Sequence, residues 1–199
     1  MKRFFKTAFV LAMSFTALAF AGCSDDEKNL PEKDLTVDNL SGNYVGTFNF
    51  DGSDMEGNPV KKQDLPISLN VEKNKVIFPE FPISAILSAL VGEEAGAGLA
   101  GMIGKLSYTV EMVDPVADAQ SLSSTLKTPR LRIVVASEGV TIMVVLIDLE
   151  SPGKMVYTAS NKTLTFVLKT TKFGYEEAGV DNPEMFPLLN TLTFKVVKK

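Results

Sequence analysis

The 199-residue chain has no histidine, no tryptophan and a single cysteine. Without histidine there is no Ser-His-Asp or Cys-His nucleophile and no imidazole to hold a metal. Without a second cysteine there is no internal disulfide and no thiolate cluster, so the core alone stabilises the fold, as a chain of this length allows. No G-x-G-x-x-G or phosphate-loop pattern occurs, which argues against a nucleotide cofactor. Lysine and arginine are not clustered and the net charge is −4, which argues against nucleic acid and against electrostatic adhesion to anionic lipid. The lack of tryptophan removes the commonest sugar-stacking platform and leaves Tyr44, Tyr108, Tyr157 and Tyr175 as amphipathic rings.

Carboxylates are the chemistry that remains. Asp148 with Glu150, and Glu176 with Glu177, are close in sequence but no catalytic motif surrounds them, so they read as solvated surface groups. Asp51 to Asn58 has the oxygen-rich look of a calcium loop. Met55 stands where such a loop needs an oxygen ligand and the bidentate glutamate is missing, so the stretch reads as a hairpin turn. No cofactor, metal or catalytic residue is expected, and the chain is not expected to be an enzyme.

The start of the chain is informative. Lys2, Arg3 and Lys6 precede an apolar run from Ala8 to Ala21 that stops at small residues before Cys23. A basic start, a short apolar centre and a small-residue exit predict a signal peptide over residues 1–22, since the run is shorter than the roughly 20 residues of a spanning helix. Its removal leaves 177 of the 199 residues and, with the loss of Lys2, Arg3 and Lys6, takes the net charge from −4 to −7.

Phe20-Ala21-Gly22-Cys23 resembles the lipobox of bacterial lipoproteins. The resemblance implies that Cys23 is lipidated and becomes the first residue of the mature chain, which also disposes of an otherwise free thiol. Ser24-Asp25-Asp26-Glu27 resembles the acidic signal that sends lipoproteins of the Bacteroidetes across the outer membrane. It implies a lipid-anchored protein of the outer membrane facing the cell exterior. Residues 23–40 then form a polar tether and residues 41–199 the folded domain.

From Asn43 onward, short β-type runs recur between turn residues. They span residues 43–50, 65–71, 75–78, 106–112, 131–136, 140–149, 155–159, 163–169 and 191–197. Most alternate with period two, whereas 140–149 is apolar on both faces, as in a strand covered on both sides. One segment is different. Ile83, Ile86, Leu87, Leu90 and Val91 follow Pro82 at helical spacing, and Leu99, Met102, Ile103 and Leu106 repeat the pattern after a glycine-rich break. The pattern predicts a mainly β fold, an antiparallel barrel or barrel-like sandwich of about 8–10 strands, with a helical insert near 82–104. That insert would cover an open end of the barrel, pack on the sheet, or act as a lid over a ligand cavity.

Gly42-Asn43-Tyr44-Val45-Gly46-Thr47-Phe48 resembles the opening strand of calycin-like domains in Bacteroidetes lipoproteins, and its Gly-x-aromatic start is similar to the lipocalin Gly-x-Trp motif. The resemblance implies a lipocalin-like barrel of about eight strands. Such a barrel holds one small apolar ligand or fills itself with side chains. The first alternative makes the protein a binding module, with Ile83, Ile86, Leu87, Leu90 and Tyr108 as candidate ligand contacts. The second makes it a structural or interaction lipoprotein, such as an inhibitor or accessory subunit that meets an envelope protein.

Overall fold

The computed structural model describes residues 34–199, apart from 55, 138–139 and 177–183. The expected signal segment, Cys23 and the acidic Ser24–Glu27 lie outside the described residues. One helical turn, α1 (Val37–Leu40), leads into the first of ten strands. These are β1 (Gly42–Ser53), β2 (Pro59–Glu72), β3 (Lys75–Phe78), β4 (Tyr108–Ala117), β5 (Ser121–Lys127), β6 (Leu131–Ser137), β7 (Val140–Glu150), β8 (Met155–Thr158), β9 (Thr163–Glu176) and β10 (Met185–Lys198). Two helices, α2 (Ile83–Val91) and α3 (Glu93–Ile103), stand between β3 and β4.

Eight strands close a ring in the order β1-β2-β3-β4-β5-β8-β9-β10, with β10 returning to β1. The fold is therefore the expected antiparallel barrel with a helical insert. The pairings divide it into two levels. At the lower level all eight strands are present, and the ladder from Tyr44–Lys198 to Asp51–Thr191 seals the ring. Above it, β3, β4, β5 and β8 have ended while β2, β1, β10 and β9 run on. There β9 exchanges its neighbour: Thr163 to Thr165 pair with β8, and Lys169 to Glu176 pair with β7, which carries β6 on its far side. The upper level is thus a curved half-barrel, β2-β1-β10-β9-β7-β6, with a gap between its edges. The helical hairpin spans the gap, α2 against β1 and β2, α3 against β6.

The lower barrel is filled. Alternation sends Tyr44 and Phe48 of β1, Phe78 of β3, Phe166 of β9 and Phe194 of β10 inward, each at most 3% exposed. Phe194 lies 4.7 Å from Phe166, 5.4 Å from Phe78 and 5.5 Å from Phe48, ring centre to ring centre. Burying each of these rings contributes about 1.5–3 kcal/mol. Leu40 of α1 is also buried, and the Tyr44 hydroxyl donates to its carbonyl at 2.7 Å. Leu35 N donates to Asp118 O at 2.9 Å, which holds the incoming chain at the β4–β5 turn. The fold therefore starts several residues before Ser41, inside the stretch expected to be tether.

Several strands exceed their expected bounds. β1 passes Asp51-Gly52, and the turn comes at Asp54 to Asn58 instead. There the Asp54 carboxylate accepts from Glu56 N at 3.0 Å, Asn58 N at 2.8 Å and Asn58 Nδ2 at 3.0 Å. These bonds hold the Asp54 carboxyl below the usual carboxylate range and fix it as a turn clamp. β5 is a strand for which no run is expected. β10 begins at Met185 and runs through Pro187, above the last residue that pairs with β1, where the missing N–H costs no ladder bond on that side. Leu106 lies beyond the end of α3, and its carbonyl accepts from Phe81 N at 2.6 Å.

Candidate functional site

The helical hairpin has one anchored and one superficial half. In α2, the 3.6-residue repeat buries Ile83, Ile86 and Ala89 in the main core, and Phe81 just before it packs edge-on against Tyr108 at 5.0 Å. Leu87 and Val91 occupy the other stripe of α2. They face Leu99 and Ile103 of α3 and the inner face of the upper half-barrel. Between them is an apolar pocket of about 110 Å³. Ile133 and Val135 of β6 with Met143, Val145 and Ile147 of β7 form one wall. Phe173 and Tyr175 of β9 with Leu188 of β10 form the other. Apart from the Tyr175 hydroxyl, no side chain lining it carries a polar group.

The alternation explains why these faces meet. Leu131, Ile133 and Val135 pair with Ile147, Val145 and Met143, so the two strands present one apolar face. An extra residue in β9 between Thr170 and Lys172 shifts the phase, so that Phe173 and Tyr175 point inward as Leu168 and Thr170 do below. At the junction of the levels, Asn190 takes over where the β1–β10 ladder stops. Its Oδ1 accepts from Ser53 N at 3.1 Å, and its own N–H donates to Thr170 Oγ1 at 3.0 Å. A Cβ on Gly52 would overlap the Asn190 amide, so the bare glycine makes room for it. The Asn190 Nδ2 is buried without a hydrogen-bond partner.

Of the five candidate ligand contacts, Leu87 lines the pocket. Ile83 and Ile86 face the main core instead, because they lie on the stripe of α2 that docks on the barrel. Tyr108 is also in that core, and its hydroxyl donates to Pro129 O at 2.7 Å. Leu90 lies within α2. Burial pushes the Tyr44 and Tyr108 phenols well above the usual tyrosine range, so both stay protonated where exposed tyrosines ionise. The residues not foreseen as contacts, those of β6 and β9, carry a sequence signal only as strand alternation.

Of the paired carboxylates, Asp148 and Glu176 are held in ion pairs, Glu150 is exposed, and Glu177 lies outside the described residues. Arg130 Nε donates to Asp148 at 2.6 Å and Arg132 Nε to Glu176 at 2.8 Å. Arg132 and Glu176 lie on the side of the β6-β7-β9 sheet away from the pocket, and the guanidinium holds the Glu176 carboxyl below its usual range. Among the described residues, no cluster of three or more potential ligand side chains is placed to hold a metal ion, and no helix is long and apolar enough to cross a membrane.

No family model matches the chain, and no curated protein matches it. Among solved structures, it is similar to an auxiliary nutrient binding protein from Bacteroides thetaiotaomicron VPI-5482, with 12% identity and a TM-score of 0.23. The similarity covers 78% of this chain and 46% of that one, so the chain spans less than half of that protein's length.

Proposed function

We propose that the protein is a non-catalytic binding module that takes the apolar part of a small ligand into the pocket beneath the helical hairpin. The observation that carries this reading is a pocket with an almost wholly apolar lining, set between the helical hairpin and the inner face of the upper half-barrel. A polar group placed there without a partner would cost about 1–3 kcal/mol, so the site selects for hydrocarbon or aromatic surface. The anchor completes the reading. Lipidation at Cys23 and the acidic Ser24–Glu27 would hold the domain on the outer membrane, facing outward, by a calycin-like lipoprotein's usual route. Within the described residues, the pocket is at the level of the barrel opposite α1.

The filled lower barrel favours a second reading, in which the protein works through its outer surface as an interaction lipoprotein. The two readings separate in a titration with 1-anilinonaphthalene-8-sulfonate. Val145→Phe fills much of the pocket and should weaken binding of the dye at least tenfold. Val134→Phe, on the opposite face of the same sheet, should leave it unchanged. Equal binding by both variants would remove the pocket as the site and leave the surface reading. Mass spectrometry of the intact protein from the cell envelope tests the anchor: acyl mass on a chain beginning at Cys23 is expected, and an unmodified Cys23 would refute it.

A further inference from the structure

As it stands, the pocket holds only a small apolar group. An apolar cavity of about 150 Å³ admits benzene, and sites for drug-sized ligands begin near 300 Å³. At about 110 Å³ the space buries less than either unless one wall moves. We propose that α3 is that wall, a gate that swings away from β6 about Gly92 and Gly104 while α2 stays docked. This inference rests on the reading of the pocket as a ligand site.

The two helices differ in how they are held. α2 buries three side chains in the main core, whereas the only buried residue of the 11-residue α3 is Gly96. Leu99 and Ile103, the residues by which α3 roofs the pocket, are half-buried. Its helix propensity is lowered by the glycines at 96, 98 and 101. Gly96 is required, because a Cβ there would run into the Ser88 backbone of α2. Gly98 and Gly101 face open space, and nothing in the packing asks for glycine at either. Both ends of α3 are glycine joints with positive φ, 88° at Gly92 and 69° at Gly104, and a Cβ at either would also meet nothing. The ion pair from Lys62 of β2 to Glu93 ties down the first residue of α3 through an exposed carboxylate, and holds little. A helix with glycine at both joints, three more glycines within it and only a half-buried apolar stripe toward the barrel belongs to the low-stability end of a fold, from which lids are drawn.

Native-state hydrogen exchange tests the gate on the intact protein. The amides of α3 should exchange by local opening at least a hundredfold faster than those of α2 and of the lower barrel. In Gly98→Ala/Gly101→Ala they should slow about tenfold or more, with α2 unchanged, because both substitutions favour the helix and neither touches the lining. Stopped-flow association of 1-anilinonaphthalene-8-sulfonate should slow in that double variant by a similar factor, with the same amount bound at saturation. Protection of α3 equal to that of α2 would overturn the gate, as would an association rate indifferent to the double substitution. If α3 opens as expected but wild-type protein binds no dye at all, the pocket reading itself fails, and the gate with it.

Discussion

Phe194→Ala should destabilise the protein by about 3–5 kcal/mol, the cost of removing a large side chain from a site that cannot collapse. Phe194 is 0% exposed, and its ring meets Phe48, Phe78 and Phe166 within 5.5 Å. Those three rings come from different strands of the closed lower barrel, each paired on both sides, so none can move in without dragging its ladder. The aromatic pairs lost add about 0.5–1.5 kcal/mol apiece in favourable geometry. In a domain of this size, each kcal/mol lowers Tm by about 2–4 °C, so a fall of roughly 10 °C is expected. Denaturant titration gives the free energy directly. Phe186→Ala is the control: Phe186 is 40% exposed and should cost far less. A loss below about 1 kcal/mol for Phe194→Ala would mean that the lower barrel is not packed as described, and would reopen it as a ligand chamber.

Gly46→Val should be worse still, and should stop the protein accumulating in folded form. Gly46 pairs with Val196 across the strand seam that closes the ring. A Cβ at position 46 would overlap the Lys195 carbonyl oxygen and stand 2.7 Å from Val196 Cα. These are backbone atoms, so no rotamer change relieves the overlap, and β10 must leave β1. Because the same ladder holds Phe194 against Phe48, opening it also unpacks the lower core. The contrast with Gly98→Ala, where the added methyl meets nothing, separates a glycine needed for close approach from one that weakens a helix. The measurement is soluble yield followed by circular dichroism and near-ultraviolet signals. Wild-type yield and melting for Gly46→Val would show that the seam is not where the strand pairing places it.

What the sequence discloses follows from which side chains carry the pattern. β1, β3, β9 and β10 are legible because aromatic and branched residues alternate with polar ones. β5 is hidden, because its inward set is Leu122, Ser124 and Leu126; Ser124 is buried and its Oγ donates to Val113 O at 2.7 Å. The first half of β2 is hidden for another reason. It lies above the closed ring, and its more sheltered positions include Lys62, whose ammonium reaches Glu93. The helical insert is visible from its spacing, yet spacing alone does not say which stripe of α2 docks on the barrel and which faces a void. The docking of α2 against β1 and β2 is what separates Leu87 from Ile83 and Ile86. The pocket walls on β6 and β9 belong to segments some forty residues apart, brought together by β7, and no local pattern foretells that adjacency.

The seam has a further consequence, in time rather than in space. The ring closes by pairing the first strand with the last, Tyr44 with Lys198. Most loops between neighbouring strands close early and locally, but this contact carries the largest loop-closure entropy in the fold. A topology of this kind folds slowly, because its most separated pairing must form before the core is sealed. Until β10 is delivered, β1 and β9 each keep an open edge and the rings of Phe48 and Phe166 lack their central partner. A partly synthesised chain therefore has no closed barrel to unfold, and folding becomes a single late event triggered by the arrival of its final strand.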